Sequence, residues 1–461
     1  NSKINTNCFN ILFLLLNMQN LKTVVVQFKN ENKLPIIVTA IFFFTFFYVS
    51  FFHHLTFTES DGIFYYLAGK QLISGNVEYT SIVGAPIGGP LVHASFGDLL
   101  GDPFLAGKII SLLSCTGVVF TSFFITKNLF SKKVAILTQL FFAVNPKIAH
   151  LSIMVLNEAA PIFFIFISLY FATKKQKSIT AFVLVGIFLG IAFCFRYQSL
   201  LILIAFLIYL LIFERTRIFG LRNCCVTILP FLATISPLMI YNYLFLEKFV
   251  TFSTNFYFLD SFKFQTEIWR HNMVNIVDEG IVSAFYLDPF LFLKNYFYNL
   301  LFHNPDHLFK FSIDVYDTLS IFPLLPLLGI IPAIGGFLYI TKINLNKKHL
   351  SILLFTFFTT FLLIGLFGTL EHHFLLLTIV PLVVIGITNI HRIPNNVLFL
   401  IISCIIFLIF ISLLPVYRAF HLFPIWLIFP ALSSLFFIEG IPAIQAKIRQ
   451  LRHFGGSSNE T

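Results

Sequence analysis

The chain has 461 residues, of which 58% are hydrophobic and only 11% charged, and its mean hydropathy is +0.90. Soluble domains are charged at about a quarter of their positions, and a water-soluble fold of this composition would expose apolar patches of a size that monomers avoid. Composition therefore excludes a soluble globular protein, and the net charge of +10 does not signal nucleic acid, because Lys and Arg collect in the cytoplasmic loops of membrane proteins. The six cysteines, Cys8, Cys115, Cys194, Cys224, Cys225 and Cys404, form no C-x-x-C pair, so neither a zinc site nor a disulfide framework is indicated. The 63 phenylalanines are read as compositional bias, not as binding contacts. Near the start, Ile11–Leu16 is too short to span and has no small-residue cleavage site after it, and Met18 is a candidate start.

A membrane-spanning helix needs about 20 apolar residues. In chain order the candidate spans are 34–57, 104–126, 134–146, 148–173, 179–195, 197–213, 224–246, 318–341, 349–368, 372–390, 397–414 and 422–440. The short 134–146 segment is either a span or half of a hairpin with its successor. The predicted fold is an all-α integral membrane bundle of about 11–13 transmembrane helices with two long outer-face loops. It divides into a cytoplasmic segment 1–33, a transmembrane domain 34–440 and a cytoplasmic tail 441–461, whose end from Gly455 is expected to lack structure.

Charge sets the orientation. With the N-terminus inside, 20 of the 30 basic residues fall in cytoplasmic loops, in groups such as Lys127/Lys132/Lys133, Lys174/Lys175/Lys177 and Arg215/Arg217/Arg222. Of the 20 acids, 16 fall on the other face. Two loops on that face are long, about 58–103 and 247–317, and loops of such length in a compact protein have a function or structure of their own. In the first, Asp61–Ser74 has helical spacing, with Ile63, Tyr66, Leu67 and Leu72 on one side and Ser74-Gly75 ending it. In the second, Pro289–Phe302 is apolar and aromatic with single polar breaks, the pattern of a helix lying in the membrane interface.

Several residues on the outer face have the chemistry for a reaction. Glu59 and Asp61 stand just past the first span. Asp61 is either a cap favoured by the helix dipole or a general base whose partial desolvation raises its pKa. Arg196, between two short spans, is either an interfacial anchor or an anion site, since guanidinium suits phosphate. Glu158 lies inside a candidate span, where a charge faces a partner or a cavity; Lys108, near the outer end of another span, has the same two readings. Glu371-His372-His373 opens the tenth span. Adjacent histidines point in different directions on a helix, so they make a poor joint metal site, while one of them can face a phosphate. His93, His303 and His307 also lie in outer loops. Glu59-x-Asp61 is a weak candidate for a divalent cation; no cofactor is otherwise indicated. A basic cluster opposite an acidic base at one membrane face suits a lipid-phosphate substrate whose phosphate leaves, with a hydroxyl or amine as acceptor.

These residues stand in an order that resembles the polyprenyl-phosphate-sugar-dependent membrane glycosyltransferases of the GT-C fold, among them the protein O-mannosyltransferases and lipid A aminoarabinose transferases. The resemblance covers about 35–390. It is carried by Glu59-Ser60-Asp61-Gly62 with Tyr66, Ala68, Leu72 and Gly75, then by Gly88-Gly89-Pro90-Leu91 and Phe104–Ser111. It continues through Asn145-Pro146, Asn157-Glu158, the glycine-rich Gly186–Arg196, Tyr241-Asn242-Tyr243 with Thr251–Asn255, and His372-His373-Phe374 with Pro381. Two departures stand out: Asp61-Gly62 replaces the Asp-Glu of many members, and histidine stands where the tenth span carries arginine. Lys108 occupies a position usually held by arginine. The resemblance implies an inverting transfer with Asp61 as base. The sugar comes from a polyprenyl phosphate entering from the outer leaflet, and the acceptor is a lipid, protein or surface glycan. It implies Arg196, Lys108, His372, His373, Glu158 and Tyr66 as substrate-side residues. The charge of the loops puts both termini in the cytoplasm, and the absence of retention signals points to the cell membrane. The absent tryptophan-rich signature sets the chain apart from oligosaccharyltransferases; its only tryptophans are Trp269 and Trp426. A transporter or lipid flippase, or a non-catalytic membrane subunit, are the rival readings, and no inverted repeat of the transporter kind is visible.

Overall fold

The computed structural model describes residues 33–53, 60–75, 86–174, 178–213, 216–246, 249, 285–286, 289–298, 325–341, 392–411 and 427–456. Among these the regular structure is helical, with no strand. Helix α1 (Lys33–Tyr48) runs into a π-helical turn, Val49–His53. Then come α2 (Ser60–Ile73), α3 (Gly88–Leu100), α4 (Pro103–Leu129), α5 (Lys132–Ala143), α6 (Pro146–Ile153), α7 (Ala159–Ala172), α8 (Ile179–Phe195), α9 (Ser199–Phe213) and α10 (Arg217–Leu246). Further along are α11 (Pro289–Tyr298), α12 (Leu325–Ile340), α13 (Asn395–Ile411), α14 (Ile428–Leu435) and α15 (Ile441–Gly456). Among the described residues, four stretches are long and apolar enough to cross a membrane: Lys33–Phe52, Pro103–Leu129, Ile218–Leu244 and Ile428–Gln450. Helices α7, α8, α9 and α13 are apolar and shorter. The chain is an all-α polytopic integral membrane protein.

Local signals explain the boundaries. Between α3 and α4 the chain turns on Gly101, whose φ of 67° is left-handed and suits glycine. Asp102 follows as N-cap, its Oδ1 accepting from the N–H groups of Phe104 at 2.8 Å and Leu105 at 3.1 Å, with Pro103 at the first helical position. Ser178 caps α8 by accepting from Ala181 N. Helix α8 packs on α7 and α10, and Gly186 and Gly190 permit the latter contact. An added Cβ on Gly186 would lie 2.2 Å from the Thr227 carbonyl oxygen, so the small-residue pair brings the two backbones together as lipid-embedded helices require. Gln139 on α5 donates to Pro35 O and Thr39 Oγ1, both at 2.9 Å, tying α5 to α1 inside the apolar layer. Phe42, Phe123, Phe142, Phe166, Phe206 and Phe399 are fully or almost fully buried, so this part of the phenylalanine excess fills the core.

Three expectations change. The span expected over 148–173 is broken at 154–158 into α6 and α7, because Pro161 in the first turn of α7 has no N–H to continue a helix from the preceding segment. Glu158, expected within that span, therefore sits in the break. The helix expected from 224 begins at Arg217 and holds Pro230 and Pro237 within its length. The helix of the last expected span does not end at 440: α14, the π-helical stretch Phe436–Gly440 and α15 are continuous in sequence, and helix extends through Gly456. Of the helix expected over Pro289–Phe302, the part Pro289–Tyr298 is present as α11, and 299–302 lie outside the described residues. The spans expected at 349–368 and 372–390, most of the second outer loop and the end of the tail lie outside the described residues.

Candidate active site

The break between α6 and α7 is where two of the predicted site residues, Glu158 and Arg196, meet. Glu158 stands at the N-terminus of α7 and Arg196 at the C-cap of α8. The two helices form an antiparallel hairpin, and their open ends are joined by an ion pair from Arg196 Nη2 to Glu158 Oε1. Each charge stands at the helix end whose dipole favours it: the carboxylate at a positive N-terminus, the guanidinium at a negative C-terminus. Glu158 is only 4% exposed, and its Oε2 accepts no hydrogen bond among the described residues. Asn157, also buried, donates from Nδ2 to Phe195 O at 3.2 Å, while its Oδ1 is left without a donor among the described residues. Two buried acceptors thus stand side by side, next to a guanidinium.

Glycines let three other segments close on this break. Gly62, the residue after Asp61, lies so near Val155 that an added Cβ would be 2.5 Å from the Val155 carbonyl oxygen. This contact seats the first turn of α2, and with it the Asp61 backbone, beside the break. Gly88 would meet the Cys194 carbonyl oxygen at 2.4 Å and Gly89 the Asn157 side chain at 2.1 Å. The Gly88-Gly89-Pro90 turn is thereby wedged between the end of α8 and Asn157. Gly107, next to Lys108, likewise approaches Val155.

Other candidates have different engagements. Lys108 donates from Nζ to Ser50 O at 2.9 Å, at the π-helical end of the first span. Tyr66 donates from its hydroxyl to Asp98 Oδ1 at 3.3 Å, and its ring lies against Gly97. Asp98 also pairs with Lys70 at 2.8 Å, and the hydrogen bond to Asp98 raises the lysine's pKa above its ordinary value. Tyr66 thus ties α2 to α3. His93 is buried at 1% exposure under Tyr65, with both ring nitrogens lacking a partner among the described residues, and burial lowers its pKa from 6.5 to about 4. Glu59, His372, His373, His303 and His307 lie outside the described residues; so does any geometry for a Glu59-x-Asp61 cation site. Among the described residues no group of three or more His, Cys, Asp or Glu is placed to hold a metal.

Sequence reading had placed Glu158 and Arg196 as separate candidates, and it had not singled out Asn157 as a site residue. Their union is a contact between residues 38 apart, for which no local pattern exists. The Gly88-Gly89 pair was the available signal, since adjacent glycines before a proline mark a place where something must come close.

Residues 85–241 match the family model described as dolichyl-phosphate-mannose-protein mannosyltransferase. The match bears out the resemblance seen in the sequence over about a third of the chain. It takes in Gly88-Gly89, Lys108, Asn157, Glu158 and Arg196, and begins after Asp61. The crystal structure of ArnT from Cupriavidus metallidurans in the apo state is similar over 88% of this chain at 13% identity, with a TM-score of 0.43. The chain spans 59% of the length of that protein. No protein of curated function matches the sequence significantly.

Proposed function

We propose that this protein is a GT-C type membrane glycosyltransferase that moves a sugar from a polyprenyl phosphate to a lipid, protein or glycan acceptor on the outer face of the cell membrane. In this reading both termini are cytoplasmic, as the charge distribution of the loops favours. The observation that carries the proposal is the convergence of α2, the Gly88-Gly89 turn, Asn157-Glu158 and Arg196 on one end of the helix bundle, within or next to the segment that matches the mannosyltransferase family.

The chemistry follows from the groups present. The Asp61 carboxylate takes the proton of an acceptor hydroxyl or amine. The released lone pair forms a bond to the anomeric carbon. The bond from that carbon to the phosphate oxygen breaks, and its electron pair leaves on the polyprenyl phosphate. Attack opposite the leaving group inverts the centre. Positive charge fixed near the departing phosphate contributes most, because it stabilises charge that develops in the transition state. Arg196 supplies that charge, held in orientation by Glu158; Lys108 and one of His372 or His373 add to it. The free acceptors Asn157 Oδ1 and Glu158 Oε2 suit the hydroxyl groups of a sugar.

The test is release of labelled sugar from a radiolabelled polyprenyl-phosphate sugar by the purified protein in lipid, with a membrane extract as acceptor pool. Turnover supports the proposal. Movement of the donor across the bilayer without cleavage of the sugar–phosphate bond would replace it with the flippase reading.

A further inference from the structure

The opposite end of the α7/α8 hairpin carries a second polar site. A cavity of about 570 Å³ opens there, lined by Lys174, Arg222, Asn223, Asn395 and Asn396 over an aromatic floor that includes Phe182 and Tyr209. It is separated from Arg196 by the length of α8, whose 17 residues rise roughly 25 Å. It therefore shares no residue with the candidate active site and lies at the face where the chain concentrates its basic loops.

Three features make it an anion site. First, its two cations are held by rings, not by acids. Lys174 Nζ lies 4.7 Å from the Tyr170 ring centroid and 4.9 Å from that of Phe171, and the Arg222 guanidinium lies 4.9 Å from that of Phe219. Neither cation joins an ion pair among the described residues, so their charge is oriented but not cancelled. Second, three helices begin at the cavity: α8 at Ile179, α10 two residues before Phe219, and α13 at Asn395. Two helices also end there, α7 at Ala172 beside Lys174 and α9 at Phe213, so the three positive dipole ends are partly offset by two negative ones. Third, three asparagine amides stand at the same place; Asn223 Oδ1 accepts from Arg222 Nη2 at 3.4 Å and Asn396 Nδ2 donates to Asn128 O at 3.5 Å. Among the described residues that line the cavity there is no acid.

We infer that this cavity binds a phosphate-bearing anion, with Lys174 and Arg222 as its charged contacts. A phosphate diester in a lipid headgroup and a free phosphate present the same chemistry; basic pockets between helices at the cytoplasmic side of a membrane are suited to the former. The inference is independent of the proposed glycosyl transfer and stands or falls without it.

The experiment is native mass spectrometry of the purified full chain titrated with dioleoyl phosphatidylglycerol, dioleoyl phosphatidylcholine or inorganic phosphate. Phosphatidylglycerol is expected to bind at least ten-fold more weakly to K174Q/R222Q than to wild type, with binding recovered in K174R/R222K and phosphatidylcholine binding equal in all three. Competition by millimolar inorganic phosphate would assign the site to free phosphate as well; lack of competition would assign it to the lipid headgroup. The exposed Asn395→Asp variant, which puts a negative charge at the rim without removing either cation, is expected to weaken binding to the same degree and serves if the double variant does not fold. Equal phosphatidylglycerol affinity in wild type and in a folded K174Q/R222Q or N395D protein overturns the inference.

Discussion

The two ends of the α7/α8 hairpin are built in opposite ways. At one end, opposite charges close on each other: Glu158 and Arg196 pair across the hairpin, and glycines bring backbone from α2 and the start of α3 against Val155, Asn157 and Cys194 beside them. At the other, Lys174 and Arg222 face an open cavity and rest on aromatic rings. The first arrangement fixes geometry, as an enzyme needs around a reacting carbon. The second leaves charge available, which suits a ligand that brings its own. Loops with excess positive charge would have drawn attention to the second end alone; burial and close approach are what support the proposal of chemistry at the first.

That contrast predicts different responses to mutation. The largest effect belongs to the buried pair. Arg196→Ala leaves the buried Glu158 side chain without its partner, which costs about 3–5 kcal/mol. The double variant E158A/R196A is expected to lose less than the sum of the two single variants, as thermal unfolding in detergent would show. Full additivity would mean that the two groups do not interact.

His93 is next. Its folded-state pKa, about 4, lies below the ordinary 6.5. The unfolded chain therefore binds more protons between these values, and the contribution to stability is fully present above pH 6.5 and is lost as pH falls toward 4. At about 1.4 kcal/mol per unit, the loss by pH 4 is roughly 3 kcal/mol. His93→Phe should flatten this slope in a pH series of unfolding midpoints; an unchanged slope would assign it to other groups.

The glycine contacts follow. Gly88→Ala and Gly89→Ala push a methyl group into Cys194 backbone and the Asn157 side chain, and each is expected to cost about 1–3 kcal/mol. Gly62→Ala should lower turnover more than it lowers stability, since it displaces the turn that carries Asp61 away from Val155. A parallel fall in both would make Gly62 a packing residue only. Smallest of all is Lys70→Ala. The Lys70–Asp98 pair is exposed, so its removal should leave the unfolding midpoint within error in salt.

Much of the helical frame was legible in the residues. The bounds of α8 match those expected from the Gly186–Arg196 stretch and its flanks, and α2 and α11 fall where apolar spacing placed them. Hydropathy reads these well because lipid requires a continuous apolar surface. The same measure hid the break at 154–158: Met154, Val155 and Leu156 are as apolar as the helices they separate. The candidate site was legible as residue types, not as a constellation. Glu158 and Arg196 were separately conspicuous as charges in apolar surroundings. Their pairing, the seating of Gly62 on Val155 and the tie from Tyr66 to Asp98 depend on contacts between distant segments, which one sequence does not display.

The measurement that bears most directly on the central claim compares wild type with Asp61→Asn for both donor binding and turnover. If the end of the bundle around Glu158 and Arg196 is a glycosyl-transfer site with Asp61 as base, the variant binds the polyprenyl-phosphate sugar with near wild-type affinity and releases no sugar to acceptor. Turnover in the variant at the wild-type rate would contradict the account and reduce Asp61 to an acid in the first turn of α2, where the helix dipole favours it.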